Sequence, residues 1–571
     1  MGIASSAVHR NLACVLAAVV VLLALPGTGQ AGEAAQPPVA SAAPQAGAPP
    51  RGRVFNVADY GAALDGKKDD APAIRAAFDA MKVNGHPFGT LLVPGVARIA
   101  STIDLDGGYR NTPSEGQWSA GAGEDFRVLV AGALRPDPGI TVAVNLHGAR
   151  NVWTDIRFDH GGRDGDIGLQ VGDLDLADIG VSGTDFAGTL LYADASADKA
   201  KRIRSSKVRH VYASNCGRAI YWRGIEAFGT FEFVWDRNCK HGSHFKECAD
   251  IGIQHYENFS PETHAIGLHF EECNMFSVGV LSFGDRATEA LIQITGGDFG
   301  SIQRIRTTGR PDRPDGQATT TGLKLVNVKS LNVDNLQTAR CRIGLHAIGS
   351  TFTIKAHHSL TCDINPLVIE GSEKFPAPRI DIGAQYRYHM RESVKIAKNV
   401  IGGVLRLHGA IWLMNIADTR DELYAIDCQS PQMILDVANL TVENRDGLLG
   451  SIWHPNPANI RGVAQARLGN TLVHGGLFEG TILPGTTIQN KTERALNLWI
   501  PVRYEPKNDA AATCQVFIGP SGDKLTRVEI RERPAGSPAQ QESISLKLPP
   551  WWWMRVDVQN ATVGKVAECY E

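Results

Sequence analysis

The chain has 571 residues, a formal net charge of −3 at pH 7, 20% charged residues and 60 glycines. So balanced a charge leaves no basic field for nucleic acid, and the length accommodates one long solenoid plus an added module. Abundant glycine with a modest charged fraction suits many short strands separated by turns.

The N-terminus has the layout of a secretory signal. Arg10 precedes an apolar run of 14 residues, Leu12 to Leu25, and the small residues Gly29 and Ala31 flank Gln30. The run is short for a membrane span, which needs about 20 residues; a retained anchor is the alternative. Residues 1–31 are therefore expected to be a signal peptide, and 32–53, rich in Ala, Pro and Gly, a disordered linker. The mature chain is expected to carry no membrane span and to be secreted, periplasmic or held at the cell surface.

The segment Val54 to Leu105 is the most specific in the chain. Asp65-Gly66 and the acidic pair Asp69-Asp70 lead into a helical pattern with Ile74, Ala77, Phe78 and Met81 on one face. The acidic pair stands where a helix N-terminus favours negative charge and capping oxygens, and Pro72 suits the first turn. A short apolar strand, Leu91 to Val93, ends at Pro94-Gly95. Val57, Asp59, Tyr60, Gly61, Ala62, Asp65, Gly66, Asp69, Asp70, Ala73 and Ile74 together resemble the entry motif of the pectate-lyase-like superfamily, in its rhamnogalacturonase/epimerase-like group. The resemblance implies an all-β chain with an N-terminal capping helix on a right-handed parallel β-helix, and proteins of this group usually handle polysaccharide.

The middle of the chain repeats. Residues 242–248 (GSHFKEC) and 267–273 (GLHFEEC) lie 25 apart, and a weaker copy begins at Gly217. A period in this range signals a solenoid whose coils stack about 4.8 Å apart. In this alignment Ile220, Phe245 and Phe270 form an inward stack, and Gly217, Gly242 and Gly267 a repeated turn. The β-helix is expected over 54–484 with roughly a dozen coils. Residues 485–571 have the texture of antiparallel strands and are expected to form a small β-sandwich. Of Trp551, Trp552 and Trp553, at least one should pack inward and another lie exposed.

The repeated coils hold the densest polar cluster: His241, His244, His255, His264 and His269 among Glu247, Asp250, Glu257, Glu262, Glu271 and Glu272. At a spacing of 25, His244 falls on His269 and Glu247 on Glu272, and carboxylates stacked in this way would raise each other's pKa. Glu247, Glu271 and Glu272 are thus the candidate acid, base or nucleophile, with His244 and His269 as positioning or proton-transfer groups. Trp222, Arg223 and Lys246 are the expected substrate contacts. A lyase would need a cation facing a uronate carboxylate, from Arg218, Arg223, Lys246 or bound calcium. The alternative is that the ladder is only a solvated face. A second candidate is the acidic segment 151–166, with Asp155, Asp159, His160, Asp164 and Asp166, which also has the texture of a turn between coils.

No cofactor is required by these patterns and no resident metal is assigned; the acidic turns could hold calcium but do not demand it, since such turns are frequent without metal. The G-H-G pattern of polygalacturonases and the D-P-H-D of alginate epimerases are absent. Nine cysteines remain beyond the leader, an odd number; Cys248 and Cys273 stack as buried thiols, and Cys514 with Cys569 is a candidate disulfide. The expected function is cleavage of a polysaccharide along a β-helix groove, glycosidase-like with a lyase as the variant. The rival is a non-catalytic, glycan-binding or structural β-helix whose C-terminal module would support a homotrimer.

Overall fold

One local pattern recurs along the chain: a long strand, a corner in left-handed backbone, a short strand, and a second corner. The computed structural model describes residues 52–570 except 109–125, 198–202, 226–228, 260–264, 286, 310–319, 361–364, 388–392, 414–423, 438, 445–449, 463–464, 467–472, 475–482, 491–494 and 565. The expected leader, most of the linker, His264 and Glu262 lie outside the described residues. Long strands such as Ser206–Ser214, Gly229–Arg237 and Ile251–Phe259 stack in parallel, as do the short strands Arg218–Arg223, Ser243–Lys246 and Ile266–Glu271. They build a 21-stranded and a 16-stranded sheet, and the result is a parallel β-helix of about 13 turns.

The corners carry the fold's most regular side-chain device. Asn215, Asn238, Glu247, Glu272 and Arg340 adopt positive φ of 51–55°. Each is followed by a buried cysteine: Cys216, Cys239, Cys248, Cys273 and Cys341. Each thiol donates to the carbonyl two residues before it, at 3.1–3.8 Å. Ser206 and Ser350, after Ser205 and Gly349, do the same at 2.7 and 2.9 Å. Those carbonyls also stay in the ladder between coils: Ser214, Arg237, Lys246 and Glu271 accept the backbone N–H of Asp185, Asn215, Gly224 and Glu247, so the thiol is a second donor on the oxygen's other lone pair. A small weak donor fits there without opening the core. Among the described residues neither the thiols at these corners nor that of Cys514 forms a disulfide. The side chain of Cys569 lies outside the described residues.

Two sequence expectations about the coils change. The register sets Trp222, not Ile220, beside Phe245, because this coil is two residues shorter than the next. Alternation along a strand sends Ile220 and Trp222 to the same side, and both are fully buried. The glycines are not a repeated left-handed turn. A Cβ on Gly217 would lie 2.1 Å from the Ala187 carbonyl oxygen, and one on Gly242 2.0 Å from that of Ile266, so close backbone approach is what demands glycine.

The helix α1, Ala71–Ala80, turns Ala73, Ile74, Ala77 and Phe78 into the first coil, with Met81 beyond its end also buried. Phe78 meets Phe126 edge-on at 5.7 Å, so the helix covers the end of the apolar core. Of the acidic pair, Asp69 supplies the expected oxygen to the helix start and Asp70 does not. Asp70 makes no side-chain cap; buried, it accepts from the backbone of Ala63 and Leu64 at 2.6 and 3.1 Å. Asp69 accepts from Ala71 and Ala100 at 3.1 and 3.0 Å, fastening the helix start to the first coil.

Toward the C-terminus the strands become antiparallel. Thr487–Gln489, Trp553–Gln559, Ala512–Gly519 and Thr526–Arg533 form one sheet. Gln540–Leu548, Leu496–Tyr504, Ala561–Val563 and Ala567–Tyr570 form another. Leu498, Ile500 and Ile544 share one apolar core with Cys514, Val516, Met554 and Val556. Trp552 packs against that core, while Trp551 is exposed. Among the described residues, no helix is long and apolar enough to cross a membrane.

His454 ties acid stability to the β-helix core, through Met433. Its Nε2–H donates to the Met433 carbonyl at 2.8 Å, and its Nδ1 accepts from Asn456 at 2.9 Å. Burial lowers its pKa, outweighing both hydrogen bonds. The unfolded chain therefore takes up a proton near pH 6.5 that folded His454 refuses. Stability from this group is full above that pH and is lost as pH falls through it. His454→Gln should shrink the drop in Tm between about pH 7.5 and about pH 5.5. Thermal unfolding at the two pH values checks this, and an unchanged drop would contradict it.

Candidate functional site

Alternation on the short strands decides what faces outward. On Arg218–Arg223, Tyr221 and Arg223 point out while Ile220 and Trp222 point in; on Ser243–Lys246, His244 and Lys246 point out. On Ile266–Glu271 the outward pair is His269 and Glu271. Stacking aligns these into two columns. One runs Tyr192, Tyr221, His244, His269, Gln293, Lys324, His346; beside it runs Asp194, Arg223, Lys246, Glu271, Thr295.

The first column is a run of rings. Tyr192 and Tyr221 stack at 5.1 Å, His244 meets Tyr221 edge-on at 5.6 Å, and His244 and His269 lie parallel at 4.7 Å. The second column supplies charge. Glu271 is the junction: Lys246 Nζ donates to its Oε1 at 2.7 Å and His244 Nε2–H to its Oε2 at 2.9 Å. His269 Nε2 meets the Thr295 hydroxyl at 3.0 Å, and Gln293 Nε2 donates to the same oxygen at 3.0 Å. The other amide atom, Gln293 Oε1, is buried with no hydrogen-bond partner among the described residues.

These contacts fix the protonation states. Burial pushes Glu271 up, but the hydrogen bonds and charges of Lys246 and His244 prevail, and its pKa is lowered. Burial lowers His244 despite Glu271, and burial together with neighbouring His244 takes His269 down to about 4. At neutral pH the centre therefore holds an ionised carboxylate, two neutral imidazoles and an ammonium group. Such a set can accept a proton and steady a developing negative charge. His244, His269 and Glu271 are also the side chains that could meet a metal ion, with donor atoms within 4.8 Å of one another. Lys246 already balances the carboxylate of that group.

The sequence-level candidates thus separate. His244, His269, Glu271 and Lys246 come together. Glu247 and Glu272 occupy left-handed corners: Glu247 pairs with Arg223 at 3.1 Å, and Glu272 accepts from Gly297 at 3.4 Å. Glu247 and Glu272 stand at equivalent corners of successive coils, as expected, each with its own partner, while an imidazole–carboxylate–ammonium cluster forms on Glu271. Trp222 is corrected as a substrate contact, being fully buried against Phe231 at 5.2 Å. Arg223 stays outward.

His255 lies on a long strand, where it bonds Glu257 at 2.8 Å and stacks on Phe233. The acidic segment disperses. Asp155 faces His210 at 3.6 Å, Asp159 pairs with Arg135 and His160, and Asp164 reaches Lys240 and His241. Asp166 is a buried turn acceptor for Gly139 and Arg163. Tyr192, Tyr221, Gln293 and Thr295 went unrecognised in the sequence; strand alternation, once the register is known, identifies them.

No protein-family model matches the chain, and no curated protein matches it. Solved structures resemble it faintly. The A-module of mannuronan C-5 epimerase AlgE6 from Azotobacter vinelandii is 14% identical, covers 74% of this chain and 100% of its own, and has a TM-score of 0.31. The tailspike of E. coli bacteriophage HK620 in complex with pentasaccharide is 11% identical over 88% of this chain and 93% of its own, with a TM-score of 0.34. The GH87 α-1,3-glucanase of Streptomyces thermodiastaticus strain HF3-3 is 12% identical over 75% and 71%, with a TM-score of 0.26. At these scores none of them bears on the chemistry.

The inward and outward assignments have separable consequences. Trp222→Ala should cost about 3–5 kcal/mol of stability, as for a large buried aromatic. Tyr221→Ala should cost about 1 kcal/mol, since it loses ring contacts on a half-buried face. Denaturant unfolding of both variants checks the pair; equal losses would contradict the assignment.

Proposed function

We propose that this protein is an exported carbohydrate-active enzyme that cleaves a polysaccharide within its chain, on the outer face of the short-strand sheet. The observation that carries this is Glu271, held ionised between Lys246 and His244 alongside a column of outward rings. Tyr192 and Tyr221 offer half-buried aromatic surface of the kind that packs on sugar rings. Glu271 acts as base or nucleophile, His244 orients it, and Lys246 steadies the charge that develops. Neutral His269 is the second proton-transfer group. Glu247 and Glu272 are corner residues whose contacts lie with Arg223 and Gly297, so neither is assigned the chemistry. The entry motif over 54–105 and the leader-like N-terminus support the same reading.

The purified protein should release new reducing ends from at least one member of a panel of neutral and acidic polysaccharides, followed with and without calcium. Reducing ends alone make it a hydrolase; unsaturated-uronate absorbance in addition makes it a lyase. Glu271→Gln should lower the rate at least about a hundredfold, the scale of a lost acid–base group, while leaving glycan binding in place. Binding without cleavage in the parent protein, indifferent to Glu271→Gln, would favour the non-catalytic reading.

A further inference from the structure

We propose that Arg218 is an anion-recognition residue beside His244, and that the polysaccharide taken by this face bears an oxyanion group, a carboxylate or a sulfate ester. The polymer in this statement rests on the function proposed above; the anion site does not.

Arg218 opens the strand Arg218–Arg223 and bridges to His241 on the next coil. Its Nε is buried with no hydrogen-bond partner, and it forms no ion pair among the described residues. The neighbouring cations differ. Arg223 has Glu247 at 3.1 Å and Lys246 has Glu271 at 2.7 Å. The carboxylate whose field reaches Arg218 is Asp164, and it is already held by Lys240 at 2.5 Å and His241 at 3.2 Å. Arg218 and Lys240 thus face a single negative charge. The Tyr221 ring also moderates Arg218, 5.7 Å from the guanidinium carbon.

Withdrawing a cation from water without a counter-ion is costly, and a folded chain rarely leaves the cost uncompensated. Burial accordingly lowers the Arg218 pKa, the reverse of its paired neighbours Arg223 and Lys246. A guanidinium is a planar fork suited to two oxygens of one carboxylate or sulfate. The side chain is only partly buried, so a ligand can reach it. It also acts on His244 electrostatically, which places the anion beside the proton-transfer centre.

The test separates binding from cleavage. Full-length protein carrying Glu271→Gln is titrated calorimetrically with a uronate oligosaccharide, a sulfated one and a neutral one of equal length. One acidic ligand should bind at least about tenfold tighter than the neutral one, and its identity distinguishes carboxylate from sulfate. Adding Arg218→Gln should remove that advantage and leave neutral binding unchanged. Arg218→Lys, which keeps the charge but not the fork, should restore only part of it. Inorganic sulfate is the second probe: it should raise the Tm of the parent more than that of Arg218→Gln, even if no oligosaccharide binds. Acidic binding indifferent to Arg218→Gln, or equal sulfate stabilisation of both proteins, would overturn the assignment. Failure of all three oligosaccharides with an Arg218-dependent sulfate response would instead count against the polysaccharide reading alone.

Discussion

The structure depends on turning each coil at a corner that stays hydrogen-bonded to the coils beside it. Long and short strands meet at corners whose left-handed residue turns the chain while the carbonyl before it still accepts from the preceding coil, as Ser214 does from Asp185 and Glu271 from Glu247. A cysteine or serine directly after that residue also donates to that carbonyl, at Cys216, Cys239, Cys248, Cys273, Cys341, Ser206 and Ser350. With the corners fixed, successive coils have equivalent start and end points, and outward side chains fall into columns. The cluster on Glu271 follows from this: His244, Lys246 and Glu271 sit on adjacent rungs because the corners at Glu247 and Glu272 are in register.

Much of this was legible in the sequence. The helix face was written in the spacing of Ile74, Ala77, Phe78 and Met81, all buried. The pairing of His244 with His269 and of Phe245 with Phe270 followed from a local period of 25, and the structure stacks both pairs. The preceding coil was misaligned because spacing is constant only where connecting segments are equally long. Tyr221 and His244 are 23 residues apart, and an alignment on 25 cannot place them together.

Charge pairing was less legible still. Residues two apart on a strand share a face, while the residue after the strand turns the corner. Glu271 and Glu272, adjacent and alike in the sequence, therefore have unrelated surroundings. The surroundings of Arg218 were equally hidden, since Asp164, held by Lys240 and His241, lies more than fifty residues away and reaches the region from a turn.

Variable coil length has its own consequence. Between successive rungs the chain advances 23 residues from Tyr221 to His244, 25 from there to His269, 24 to Gln293 and 31 to Lys324, yet the columns stay aligned. The extra residues accumulate in the segments joining strands and leave the rungs unchanged. Such a scaffold separates two kinds of inheritance: the columns are constrained by every neighbour above and below, while each connecting segment is constrained only at its ends. Insertions can thus remodel the rim of the face while leaving the arrangement around Glu271 intact.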